Sequence, residues 1–151
     1  MKFRPLATAA AAAIALSAPA LADTDPAVAA RQGQFKLFAH NFGVVGMMVQ
    51  GRIDYDAAAA QTAADNLYHL TRTNQGRLWP EGTDSDTIDG TRALPAIWAD
   101  LDTFVERYVG LQTAVAAMRE VAGDGLDALR PAVGGVGQAC GACHDDFRME
   151  Q

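Results

Sequence analysis

The sequence holds its two cysteines in one short run, Cys140-Gly141-Ala142-Cys143-His144, with seven residues after it. This run constrains the fold more than any other feature. Residues three and four apart nearly complete a helical turn, so a helix presents positions 140, 143 and 144 on one face. Gly141 and Ala142 keep the surface between them small. Two thiols and an imidazole on one face form the C-x-x-C-H pattern of c-type haem attachment. The thiols add across the two haem vinyl groups and the histidine gives a nitrogen to iron. Cys140 and Cys143 are therefore the predicted attachment points of one covalent haem c, and His144 the predicted metal ligand.

Other uses of the pair fit less well. A thioredoxin-like C-x-x-C opens a helix after a strand, and no βαβ pattern is present. A structural zinc site takes four ligands, and the sequence has no second cysteine pair. A plain disulfide has no use for His144.

The beginning of the chain points to export. Lys2 and Arg4 precede an almost unbroken run of Ala, Ile and Leu from Leu6 to Pro19, closed by the small-x-small site Ala20-Leu21-Ala22. A basic start, a short apolar run and such a site form a secretory signal. The run is shorter than the ~20 residues needed to span a bilayer, and no later segment is long and apolar enough. Residues 1–22 are expected to be cleaved, leaving 23–151 as a single domain with no membrane association. The leader is bacterial in style, so the expected destination is the periplasm. That compartment is oxidising, and free thiols would not persist there.

Half of the 151 residues are hydrophobic and 20% are charged, which suits one globular domain and argues against disorder. The net charge is −6. Losing Lys2 and Arg4 with the leader lowers the basic residues from 12 to 10, against 18 acidic ones, for a net −8. An acidic chain without a basic stripe is not expected to bind nucleic acid.

Four stretches repeat with a period of three and four, and none alternates with period two. They run from about Pro26 to Gln50, Asp56 to Arg72, Pro95 to Val121 and Gly125 to Met149. Their stripes are Phe35, Phe38, Phe42, Val45 and Val49; Ala60, Ala64, Leu67 and Leu70; Ile97, Leu101, Phe104, Tyr108, Leu111, Val115 and Met118; and Leu126, Leu129, Val133, Val136, Cys140, Cys143 and Phe147. Asp54 or Asp56 can cap the second helix, and Pro95 suits the first turn of the third. Asn74 to Thr91 reads as a long irregular crossover. The predicted fold is all-α, an antiparallel four-helix bundle carrying covalent haem c. Pro131, Gly134, Gly135 and Gly137 are poor helix-interior residues. They mark a kink, a late start, or a close approach of backbone to something bulky.

Met149 comes after His144 on the same helix and cannot reach the opposite side of the ring. A sixth iron ligand would have to come from upstream, where Met47, Met48, Met118, His40 and His69 are the candidates. Met48 and Met118 read as core filler and the two histidines as surface or capping residues.

A signal, four helices and C-x-x-C-H in the last helix resemble the class II cytochromes c, and among them the cytochromes c′. The stretch Cys140 to Arg148 is similar to that family's C-x-x-C-H-x-x-aromatic-basic ending. Arg31-Gln32-Gly33-Gln34-Phe35 resembles its first-helix segment, and Thr91 to Trp98 the segment leading into its third helix. The resemblance implies that Arg31 and Gln32 contact a haem propionate. Thr91 and Arg92 align with further haem-contacting positions, although the family often has an acidic residue where Arg92 falls. It also implies that position 35 sets the subtype, because low-spin relatives place a ligating Met there. A phenyl ring has no lone pair for iron, so Phe35 implies a five-coordinate, high-spin haem. Arg148, one turn beyond His144, can sit beside the imidazole and tune the iron, or pair with Asp145, or simply face water.

The function implied is that of a periplasmic haem protein that binds NO and CO, with possible electron transfer to an unknown redox partner. The alternatives are a low-spin class II electron carrier, and a protein whose haem is structural and whose acidic surface docks a partner. No nucleophile–base pair is visible, so no enzyme activity is expected. The family resemblance further implies a homodimer through the first two helices; Val44, Met47 and Met48 near the end of the first helix suit such a contact and equally suit the core.

Overall fold

In the computed structural model, which describes residues 25–150, helices form where the three-and-four stripes run; the expected leader lies outside the described residues. Helix α1 (Pro26–Val49) starts where Asp25 accepts from the Ala27 and Val28 amides at 2.8 and 3.1 Å, with Pro26 in the first turn. Helix α2 (Ala57–Leu70) is capped by Asp56, which accepts from Ala59 at 2.8 Å. The third predicted helix is two. A single turn, α3 (Ala96–Ala99), stops at Asp100, which leaves helical geometry and caps α4 (Leu101–Val121) through the Thr103 amide at 3.2 Å. Helix α5 (Leu126–Phe147) starts directly after Gly125, whose φ of 111° suits only glycine.

The four long helices close into a ring. α1 packs on α2 and α5, and α4 packs on the same two, which is the predicted antiparallel bundle. At one end the Tyr55 hydroxyl donates to Ala122 O at 2.9 Å and accepts from the Gly125 amide at 3.0 Å. One phenol thus joins the α1–α2 turn to the α4–α5 turn. At the other end a long crossover links α2 to α3. Its residues 92–94 run against the end of α5, with Leu94 N donating to Phe147 O and Met149 N to Arg92 O at 3.0 and 2.9 Å.

Two apolar clusters result. The larger fills the bundle with Val45, Met48, Leu67, Val115, Met118 and Leu129 among its members. Burial of a side chain of that size contributes about 1.5–3 kcal/mol. The smaller, Ile97, Phe104 and Phe147, lies under the crossover. Most stripe residues fall in or against these cores; Phe35, 36% exposed, and Leu101 do not. Leu101 is 52% exposed, because the break at Asp100 restarts the helix and rotates it away from the line set by Ile97.

Pro131 lies inside α5, and the helix begins five residues earlier, so the late start is excluded. A Cβ at Gly134, Gly135 or Gly141 would meet nothing within 4 Å, and one at Gly137 would meet Phe42 Cζ at 3.9 Å. Gly137 and Gly141 line a large cavity beside α5, so only these two thin a wall that something must approach.

Candidate haem site

Between α1, α4, α5 and the crossover lies a cavity of about 760 Å³. That is within the ~300–1,000 Å³ of sites that enclose a ligand of cofactor size. All nine predicted site residues line it: Cys140, Cys143 and His144, then Arg31, Gln32 and Phe35, then Thr91, Arg92 and Arg148. The first helix, the crossover and the last helix, far apart in the sequence, thus share one wall.

The floor is the last helix. Cys140 and Cys143 are half-buried and not joined to each other. Burial raises the pKa of both thiols, that of Cys143 to about 11, so both are protonated at neutral pH. His144 is also half-buried. Burial is the largest cause that lowers its pKa, followed by the charges of Arg148 and Arg92, with Asp145 opposing. The imidazole is thereby held neutral, which is the form that ligates metal.

Aromatic rings form the rest of the wall. Phe38 meets Phe35 edge-on at 5.5 Å, Phe35 meets Trp79 at 6.3 Å, Trp79 meets Phe104 at 4.9 Å, and Phe104 meets Phe147 at 5.4 Å. Such edge-to-face pairs fix ring orientation. Phe35 is 36% exposed and lines the cavity. Trp79 and Tyr108 also line it, but their polar atoms, Nε1 and Oη, are buried without hydrogen-bond partners and do not reach its surface. Burial pushes the Tyr108 phenol up to about 12, with Gln34 working the other way.

The polar margin is built on Arg31. This side chain is only 2% exposed. Its Nη1 donates to Thr83 Oγ1 at 2.8 Å and to Leu78 O at 3.3 Å. Its Nη2 donates to Thr91 Oγ1 at 2.8 Å and to Thr83 O. The guanidinium also lies 4.7 Å from the centre of the Trp79 ring. Every one of these partners is neutral. Burial pulls the Arg31 pKa down, with Asp25 and Asp84 opposing only at a distance. A buried arginine without a carboxylate partner is costly unless an anion joins it. Gln32 donates to Gly90 O at 2.8 Å, so both residues also grip the crossover. Arg92 lies on the rim, and its guanidinium is given to Met149 O.

The candidate sixth ligands are elsewhere. Met48 and Met118 are in the main core, at 2% and 0% exposure. Met47 and His69 are exposed, and His40 lines a small groove between α1 and α2. Among the described residues, the only sulfur and imidazole donors on the cavity wall are Cys140, Cys143 and His144.

Trp79, Phe104 and Tyr108 were not among the predicted site residues. Phe104 and Tyr108 fall on a stripe that reads as ordinary core. Trp79 sits in a crossover without period, where the one available signal was a large aromatic among Gly, Asp and Thr.

These features suit haem c. A flat apolar group with two carboxylates on one edge matches an apolar slot with an unpaired buried cation at its margin. The two thiols and a neutral imidazole on one turn match vinyl carbons and iron.

Comparison with known proteins agrees. The sequence model of the family described as Cytochrome C′ matches residues 26–148. A cytochrome c′ of Cereibacter sphaeroides is 44% identical over 138 residues, covering 91% of this chain and 93% of that protein. The solved structure of cytochrome c′ from Rhodobacter spheriodes superposes with a TM-score of 0.83 at 43% identity, covering 86% of this chain and all of that one. A nitric oxide complex of a mutant cytochrome c prime from Alcaligenes xylosoxidans superposes at 0.73 with 33% identity, covering 86% and 98% of the two chains.

Proposed function

Because the chain belongs to the cytochrome c′ family and carries haem c, we propose that it is a periplasmic, high-spin haem protein that takes up NO and CO. The observation that carries this reading is that Phe35 lines the same cavity as His144, the sole imidazole there among the described residues. The haem, when bound, supplies an iron that accepts a diatomic ligand or an electron. Everything else is the work of the chain. Cys140 and Cys143 would hold the haem by thioethers, each S–H adding across one vinyl group, the sulfur to one carbon and the proton to the other. His144 would hold the iron through its neutral imidazole. Arg31, with Gln32 and Thr91, receives a propionate, which gives the buried guanidinium its missing anion. Arg148 borders on His144.

Phe35 offers no lone pair and no hydrogen-bond donor. Neither Trp79 Nε1 nor Tyr108 Oη reaches the cavity surface. O2 depends on a donor for stable binding more than NO and CO do, so this wall favours the latter pair. Complexes of point variants of an Alcaligenes xylosoxidans relative, one with NO and one with CO, support the same ligand class. Electron transfer is the second role, with a homodimer through α1 and α2 as the assembled form. No substrate chemistry beyond ligand binding is proposed.

The test is titration of the ferrous protein with NO, CO and O2 under one set of conditions. Saturable binding of NO and CO without a stable O2 complex is expected. A stable O2 complex, or failure to bind NO, would overturn the reading.

A further inference from the structure

Arg92 grips the end of α5 twice. Its carbonyl accepts from Met149 N at 2.9 Å, and its Nε donates back to Met149 O at 3.0 Å, joined by Nη2. The neighbouring pair Ala93 and Arg148 completes an antiparallel bridge, and Arg148 N in turn donates to His144 O at 3.0 Å. The crossover thus carries the Arg92 guanidinium to the last turn of the helix that bears His144. Arg92 and Arg148, from their separate elements, both line the cavity that His144 lines. Arg107 of α4 pairs with Asp146 of α5 at 3.0 Å, Asp145 is exposed directly after His144, Glu150 follows Met149, and Lys36 lines the same cavity. Among the described residues, the Arg92 guanidinium meets only a carbonyl and no carboxylate pairs with it.

From this arrangement we infer that Arg92 is an electrostatic positioning residue that sets the reduction potential of the haem, separately from its grip on the tail. The inference rests on the proposed haem c with His144 as its axial ligand. When iron gives up an electron the site gains one positive charge. A fixed, unneutralised cation beside the axial histidine makes that gain more costly. Arg92 therefore holds the protein toward the ferrous state, the state that takes up CO.

The test is spectroelectrochemical titration of the holoprotein and three variants: R92Q, R92K and R92H. R92Q is expected to shift the ferric–ferrous equilibrium toward ferric by roughly two- to tenfold, the scale of one charge acting through partly solvated protein. R92K is expected to match the wild type. R92H carries its own control, because one folded variant has the charge at low pH and lacks it at high pH. Its potential should fall with rising pH more steeply than that of the wild type. An unshifted R92Q, an R92K shifted as far as R92Q, or an R92H with wild-type pH dependence would each overturn the inference. Intact mass and the ferric spectrum of the same samples report on the underlying reading. Loss of haem attachment in the wild type sinks that reading, whereas intact haem with an unmoved potential sinks only the role of Arg92.

Discussion

Arg31 on α1 donates to the Thr83 hydroxyl at 2.8 Å across 52 residues of sequence, and so ties the haem-site margin to the crossover that closes it. The same guanidinium reaches Thr91 and Leu78 and covers the Trp79 ring. One side chain therefore does two jobs. It anchors a segment that has no regular structure of its own, and it leaves a cation at the edge of an apolar slot.

Replacing Arg31 should expose both jobs. A hydrogen bond to a charged group contributes about 1.5–3 kcal/mol, and neighbouring bonds to one group are not additive. R31A is expected to cost about 2–4 kcal/mol in denaturant unfolding. Amide exchange should accelerate at residues 78–91 before it does in α4. Wild-type protection of the crossover in R31A would show that other contacts hold it.

The attachment chemistry has a mass signature. Wild-type protein should exceed its polypeptide mass by one haem and keep it through acid–acetone extraction. C143A should keep the haem by one thioether or lose it, and C140A with C143A should release it all. Haem that extracts freely from the wild type would remove the covalent reading.

Part of the acid sensitivity should trace to the α2–α4 pair. The Arg119 hydrogen bond, at 2.6 Å, is the largest cause that lowers the Asp65 pKa, with Gln61 and His69 assisting. A carboxyl whose folded pKa is depressed contributes stability above its unfolded value near 3.9, and this is lost as pH falls through the folded value. The pair is more than a third exposed, so the effect is small and salt-sensitive. In melting curves from pH 7 down to pH 2, D65N should flatten part of the acid slope. An unchanged slope would assign acid sensitivity to other carboxylates.

The bundle was legible because its signals are local. Helix stripes, the Asp56 cap and the attachment motif are each written within a few residues. The break at Asp100 was not, since the stripe runs smoothly through Ile97 and Leu101 and only the packing of α3 under the crossover reveals it. All nine predicted site residues line one cavity, but the partners of Arg31 lie 47 to 60 residues away and no periodicity points to them. Trp79 escaped notice for the same reason. Its place is fixed from outside, by the Trp98 indole donating to its carbonyl at 3.1 Å and by Phe35 and Phe104 against its ring.

Phe35 is the residue on which the ligand chemistry turns. Removing a large buried ring costs about 3–5 kcal/mol, and a half-exposed one costs less. F35A is therefore expected to fold, to bind CO more tightly than the wild type, and to admit water to the iron. F35M should supply a thioether where the phenyl ring now stands. Unchanged CO affinity in F35A would mean that the ring does not face the iron.

The central claim, a five-coordinate haem held by His144 with Phe35 opposite, is tested most directly by the ferrous absorption spectrum of wild type beside F35M. The wild type should show the broad, unsplit visible band of high-spin iron, and F35M the sharp split bands of low-spin iron. Sharp low-spin bands in the wild type, or a high-spin F35M, would contradict it.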